Sequence, residues 1–146
     1  MSLALPTLVL ALLAISCAWF LGGRPECVGG GILLAMLILN YAGHAVHNRV
    51  FQSVDPVALM VDLVGFVGFS AIGITSRRVW PLWAASLQLL SSGAHFVRAL
   101  SIPLEPRVYF WMKGAPTLLV MVLLIGGTLA YRRRMRLRTS KNSSPA

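Results

Sequence analysis

The sequence predicts an all-α protein, a polytopic bundle of transmembrane helices. Three observations carry that prediction. Five apolar runs, each near the length a bilayer requires, fill most of the 146 residues. Hydrophobic residues make up 57% of the chain and charged residues 12%, more apolar surface than a small soluble domain can cover. A burst of arginine (Arg132, Arg133, Arg134, Arg136 and Arg138) follows the last run. A hydrocarbon core needs about 20 mostly apolar residues in helical form. Lipid offers no partner for backbone N–H and C=O, so each span must close its own hydrogen bonds. The runs lack the alternation that marks a transmembrane β-strand.

The first span, Leu3–Leu21, follows an uncharged Met1-Ser2 stub. It has no basic leading region, so it reads as a span and not as a cleaved signal. Trp19 and Phe20 mark its inner interface. The second, Val28–Val46, opens on Gly29-Gly30-Gly31, which weakens a helix; a four-span alternative leaves this segment re-entrant or interfacial. Gly31 and Ala35 form a small-xxx-small pair suited to close helix contact. The third, Val57–Ile74, is thinned along one side by Gly65, Gly68 and Gly73. The fourth, Trp80–Ala99, has Pro81 in its first turn, where a missing N–H is harmless, and Trp80 and Trp83 at an interface. Ala85, Ser92 and Gly93 supply its small residues. The fifth, Tyr109–Ala130, has Tyr109 and Trp111 at one interface and Tyr131 at the other, with Pro116 inside as an expected kink.

The links Gly22–Cys27, His47–Pro56, Thr75–Val79 and Leu100–Val108 are too short to hold a soluble domain, so neighbouring spans should pack as antiparallel hairpins. Residues 1–138 form one transmembrane domain. Residues 139–146 are expected to be a disordered polar cytoplasmic tail.

Positive residues favour the cytoplasmic face. With five spans and the C-terminus inside, the inner set is Arg24, Arg77, Arg78, Arg132, Arg133, Arg134, Arg136, Arg138 and Lys141. The outer set is Arg49, Arg98, Arg107 and Lys113. The expected orientation is N-outside, C-inside. The net charge of +9 is then explained by a membrane face, with no need of nucleic acid. The five C-terminal arginines are candidate contacts for anionic lipid headgroups. Cys17 lies in a span and Cys27 at the inner boundary, where a bridge is not expected.

Ionisable groups inside a bilayer are costly, so each needs a reason. Asn40, His44 and His47 share one helix face by spacing, as do Gln88, Ser91, His95 and Arg98. Tyr109, Lys113 and Pro116 share another, and Asp62 is the lone acid of the third span. Asp62, His95, Lys113 and His44 all fall in the outer half. The candidate site is therefore an intramembrane polar cluster of Asp62, His95, Lys113, His44, Arg98, Asn40 and Gln88. Its plain reading is packing, with Asp62 paired to Lys113, Arg98 or a neutral histidine. A second reading is a ligand or proton site open to the outer face. A third is a haem or metal site on His44, His47 and His95, although no cofactor is predicted and no His-Glu-x-x-His spacing is present. No catalytic residue stands out, because no serine lies in a Gly-x-Ser-x-Gly frame.

The stretch from Asp55 to Leu100 carries a resemblance. It contains Asp55-Pro56, Val61-Asp62-Leu63, the run Arg78-Val79-Trp80-Pro81-Leu82-Trp83, then Gln88-Leu89-Leu90 and the ending His95-Phe96-Val97-Arg98-Ala99-Leu100. This resembles a group of small multi-pass inner-membrane proteins of sphingomonad-type alphaproteobacteria, a group without an assigned activity. The resemblance implies a bacterial inner membrane and no chemistry. The expected function is a non-enzymatic structural or accessory component that packs with itself, as a homo-oligomer, or joins a larger membrane complex. The alternative is a small permease-like or ligand-binding bundle.

Overall fold

The computed structural model describes residues 4–46, 56–100 and 105–142. They form α1 (Ala4–Leu21), α2 (Arg24–Val46), α3 (Pro56–Ser76), α4 (Val79–Ala99) and α5 (Pro106–Asn142). Three helical segments, Arg24–Ala45, Pro56–Ser76 and Gly114–Ser140, are long and apolar enough to cross a membrane. The apolar part of α1, Leu5–Leu21, is shorter. Helix α4 has the length, at 21 residues, but Gln88, its serines and His95 dilute its apolar character.

Two helices run beyond their expected limits, each for a local reason. Helix α2 starts at Arg24 instead of Val28, so only Gly22 and Gly23 separate it from α1. Glu26, in the first turn, reaches back to accept the Gly23 N–H at 3.0 Å, and the Cys27 N–H donates to the Gly23 carbonyl at 2.9 Å. This is half of a capping box, and Pro25 fits the first turn because no helical N–H is required of it. Helix α5 continues past Ala130 to Asn142. Thr139–Asn142, expected to be part of a disordered tail, are thus helical; residues 143–146 lie outside the described residues. Arginine, leucine and methionine are good helix formers, and no glycine or proline intervenes before Pro145.

Consecutive helices pack against each other, and α1 returns to α5, which closes the bundle. One apolar core joins Ala11, Ala14, Ile15 and Ala18 of α1 to Leu33, Met121 and Leu124. A second joins Met36, Phe69, Ile72, Ala84, Ala85 and Val120. Trp80 packs against both and meets Phe69 edge-on with ring centroids 6.1 Å apart. Trp80, expected at an interface, packs its ring between the two cores, whereas Trp83 is exposed. The outer surface is strongly apolar, with Phe20 at 84% exposure and Ile74 at 76%, which suits lipid and not water.

The small residues divide by position. A Cβ at Gly65 would lie 2.8 Å from Met36 Sδ and 3.1 Å from Gln88 Cδ, and one at Gly73 would overlap Leu82. Helix α3 thus meets α2 and α4 through its glycine side, as the sequence suggests. In the Gly29-Gly30-Gly31 run, a Gly29 Cβ would lie 2.7 Å from the Trp80 ring and a Gly30 Cβ 3.1 Å from Trp19 Nε1. The run stays helical because neighbours fill the space that side chains would take. The Gly31–Ala35 pair serves no such contact at Gly31, where a Cβ would meet nothing within 4 Å. The same is true of Gly93.

Candidate functional site

Helices α3 and α4 run antiparallel, and their polar positions meet in order. Asp62 of α3 faces Ser91 and His95 of α4, and one turn deeper Gly65 faces Gln88. The Ser91 hydroxyl donates to Asp62 Oδ2 at 2.6 Å. His95 Nε2 approaches the same oxygen at 3.5 Å, too far for a well-formed hydrogen bond. All three residues are buried, with Asp62 at 6% exposure and His95 at 1%. Gln88 Nε2 lies 3.9 Å from Met36 Sδ, a weak acceptor. Among the described residues, Gln88 Oε1, Ser92 Oγ and both ring nitrogens of His95 are buried without a hydrogen-bond partner.

Serine, histidine and aspartate at one point invite a hydrolase reading, which the geometry excludes. In a catalytic triad the imidazole stands between hydroxyl and carboxylate and takes the serine proton. Here the hydroxyl donates directly to the carboxylate, and the imidazole approaches that same oxygen. The arrangement ties α3 to α4 and does not activate a nucleophile.

The other sequence-derived candidates divide as follows. Asn40 is half-buried and His44 is exposed on α2, so His44 does not belong to the buried group. The side chains of Arg98 and Lys113, and all of His47, lie outside the described residues. Among the described residues, no group of three or more histidine, cysteine, aspartate or glutamate side chains could hold a metal ion.

No protein-family model, curated protein or solved structure matches the chain. The site must be read from its own chemistry.

A second polar cluster, at the arginine-rich end, is one that sequence reasoning missed. Glu26 is fully buried. Its Oε2 accepts the Gly23 N–H, and its Oε1 meets the Arg78 guanidinium at 3.1 Å and the Trp80 indole N–H at 3.4 Å. Arg78 in turn lies 5.2 Å over the Tyr131 ring, a cation–π contact. One carboxylate thus links the α1–α2 connection, the α3–α4 connection and α4, and through Arg78 reaches α5. The available signal was Gly23-Arg24-Pro25-Glu26, a cap pattern with glutamate three residues after the capping glycine. Arg132, Arg133, Arg134, Arg136 and Arg138 are exposed along the end of α5.

Proposed function

We propose that this chain is a multi-pass bacterial inner-membrane protein of five spans, N-outside and C-inside. It acts without catalysis, as a structural or accessory component that packs with copies of itself or with a larger membrane complex. The observation that supports the reading is that the two buried carboxylates, Asp62 and Glu26, are each answered from another element of the bundle. Ser91 satisfies Asp62, and Arg78 and Trp80 satisfy Glu26. Such ties fix helix register. In lipid each is worth about 0.6 kcal/mol on average, which suits a packing role. Among the described residues nothing lies within 4 Å of where a Gly31 Cβ would stand, which leaves room there for a helix from another copy.

Purification in mild detergent tests this directly. The expected result is a homo-oligomer, or a stable partner protein eluting with the chain. Asp62→Asn should lower assembly or abundance. Gly31→Leu should leave the monomer folded and reduce self-association.

One observation favours a second reading, a ligand- or proton-binding bundle. Four buried polar atoms on α4 lack hydrogen-bond partners among the described residues, a cost of about 1–3 kcal/mol for each group. On that reading Asp62→Asn abolishes binding or flux while insertion and assembly stay intact. A visible absorption band or stoichiometric metal in the purified protein would instead assign His44, His47 and His95 to a haem or metal.

A further inference from the structure

At the arginine-rich end, a partly open groove of about 620 Å³ lies between the α3–α4 connection and α5. Its α5 wall changes character along the helix. Val122 and Leu123 come first, then Gly126, and finally Arg134. At 1.5 Å per residue, Val122 and Arg134 are about 18 Å apart. Opposite Arg134 stand Ser76 and Arg77, followed by the start of α4 at Val79. The first turn of α4 contains no acid, and helix N-termini favour anions.

The cations in this groove are not equivalent. Arg78 is already matched by Glu26 at 3.1 Å. Arg77 and Arg134 are exposed, and Glu26 is the only acid in the sequence near this end among the described residues. Arg77 also has φ of 52°, in the left-handed region just past a helix end, where glycine is the usual occupant. The groove is thus apolar toward the middle of the bundle and cationic at its end. A free anion would use only the cationic end. An amphipathic molecule with an acyl chain on Val122 and Leu123 and a phosphate between Arg77 and Arg134 would use all of it.

We infer that this groove is a binding site for one anionic glycerophospholipid, its phosphate held by Arg77 and Arg134 and its chain lying along α5. The site rests on the bilayer reading and adds a ligand to it. It differs from the diffuse attraction expected of the exposed arginines, because apolar and cationic side chains line one groove.

The test uses the full chain in mild detergent, with phosphatidylglycerol or phosphatidylcholine added and retained lipid counted by native mass spectrometry. The wild-type chain should retain phosphatidylglycerol in preference to phosphatidylcholine. Arg77→Gly removes the guanidinium where the backbone suits glycine, and should weaken retention about five-fold while leaving the thermal melt unchanged or raised. Gly126→Phe changes no charge. It fills the groove from a position where a Cβ meets nothing within 4 Å, and should displace the lipid from a chain that still melts cooperatively. Arg138→Gln, which lies outside the groove lining, should have little effect. The inference is overturned if both lipids are retained equally, or if Arg77→Gly and Gly126→Phe behave as wild type. It is also overturned if Arg138→Gln costs as much as Arg77→Gly, or if inorganic phosphate displaces the lipid at equal concentration. A chain extractable by alkaline carbonate would defeat the bilayer reading itself, so the two failures are distinguishable.

Discussion

At the scale of single residues, Glu26 and Arg78 form an unequal pair. Glu26 is fully enclosed, whereas the Arg78 side chain is 20% exposed and can turn toward water or headgroups. Breaking the pair from the arginine side strands a buried carboxylate; breaking it from the glutamate side does not strand the cation. Arg78→Ala should therefore destabilise by roughly 3–5 kcal/mol, and Glu26→Gln by only about 1–2 kcal/mol. Thermal melts in detergent would show the order, and the double variant should recover part of the Arg78→Ala loss, the coupling expected of groups in contact. His95 gives the opposite expectation. Among the described residues its two ring nitrogens have no hydrogen-bond partner, so His95→Leu replaces an unsatisfied buried group with an apolar one and should be neutral or stabilising in the same melts. Of these residues, Asp62, Gln88 and His95 were legible as candidates and prove buried, Gln88 and His95 because spacing on a helix declares a shared face and Asp62 because it is the lone acid of an apolar run. Glu26 was not, because its partners arrive from other hairpins, 52 and 54 positions along the chain, and nothing local announces them.

At the scale of elements, the glycine run of α2 shows what sequence can and cannot say. Three adjacent glycines read as a weak point in a helix, since each costs about 1 kcal/mol against alanine. The structure separates them by what they face. Gly29 lies against Trp80 and Gly30 against Trp19, while Gly31 faces open space. Gly29→Leu should therefore overpack the interface and destabilise by about 1–3 kcal/mol, with Gly31→Leu leaving monomer stability equal or higher. Circular dichroism melts of the two variants side by side would decide it. The same logic explains the boundaries. The apolar runs located all five helices, because hydrophobicity is continuous along each. The polar ends were less legible: Arg24–Cys27, read as part of a link, and Thr139–Asn142, read as part of the tail, are helical through capping and propensity, which hydropathy does not measure.

At the scale of the whole molecule, two polar ties stand at opposite ends of α3. Asp62 lies near its beginning, and the Arg78–Glu26 pair lies just past its end, about 24 Å apart at the helical rise. The Ser91–Asp62 bond holds α3 to α4 at one end, and Glu26 of α2 holds their connection at the other, so neither end of the hairpin can shift without breaking a buried contact. This fixed register gives the charge distribution its meaning: α5 carries its arginines to the same end as Arg77 and Arg78. Nine of the thirteen basic residues gather there if all five helices span, and basic residues resist translocation. A reporter fused after Arg138 should therefore be active in the cytosol, and one fused before Met1 should be active outside. Replacing Arg132, Arg133 and Arg134 with glutamine should shift part of the population toward the reverse orientation, because it removes the densest part of the bias from the last span. A four-span arrangement, with α2 not crossing, would put both reporters on the same side. The pair of fusions thus tests span number and orientation together, which neither fusion could do alone.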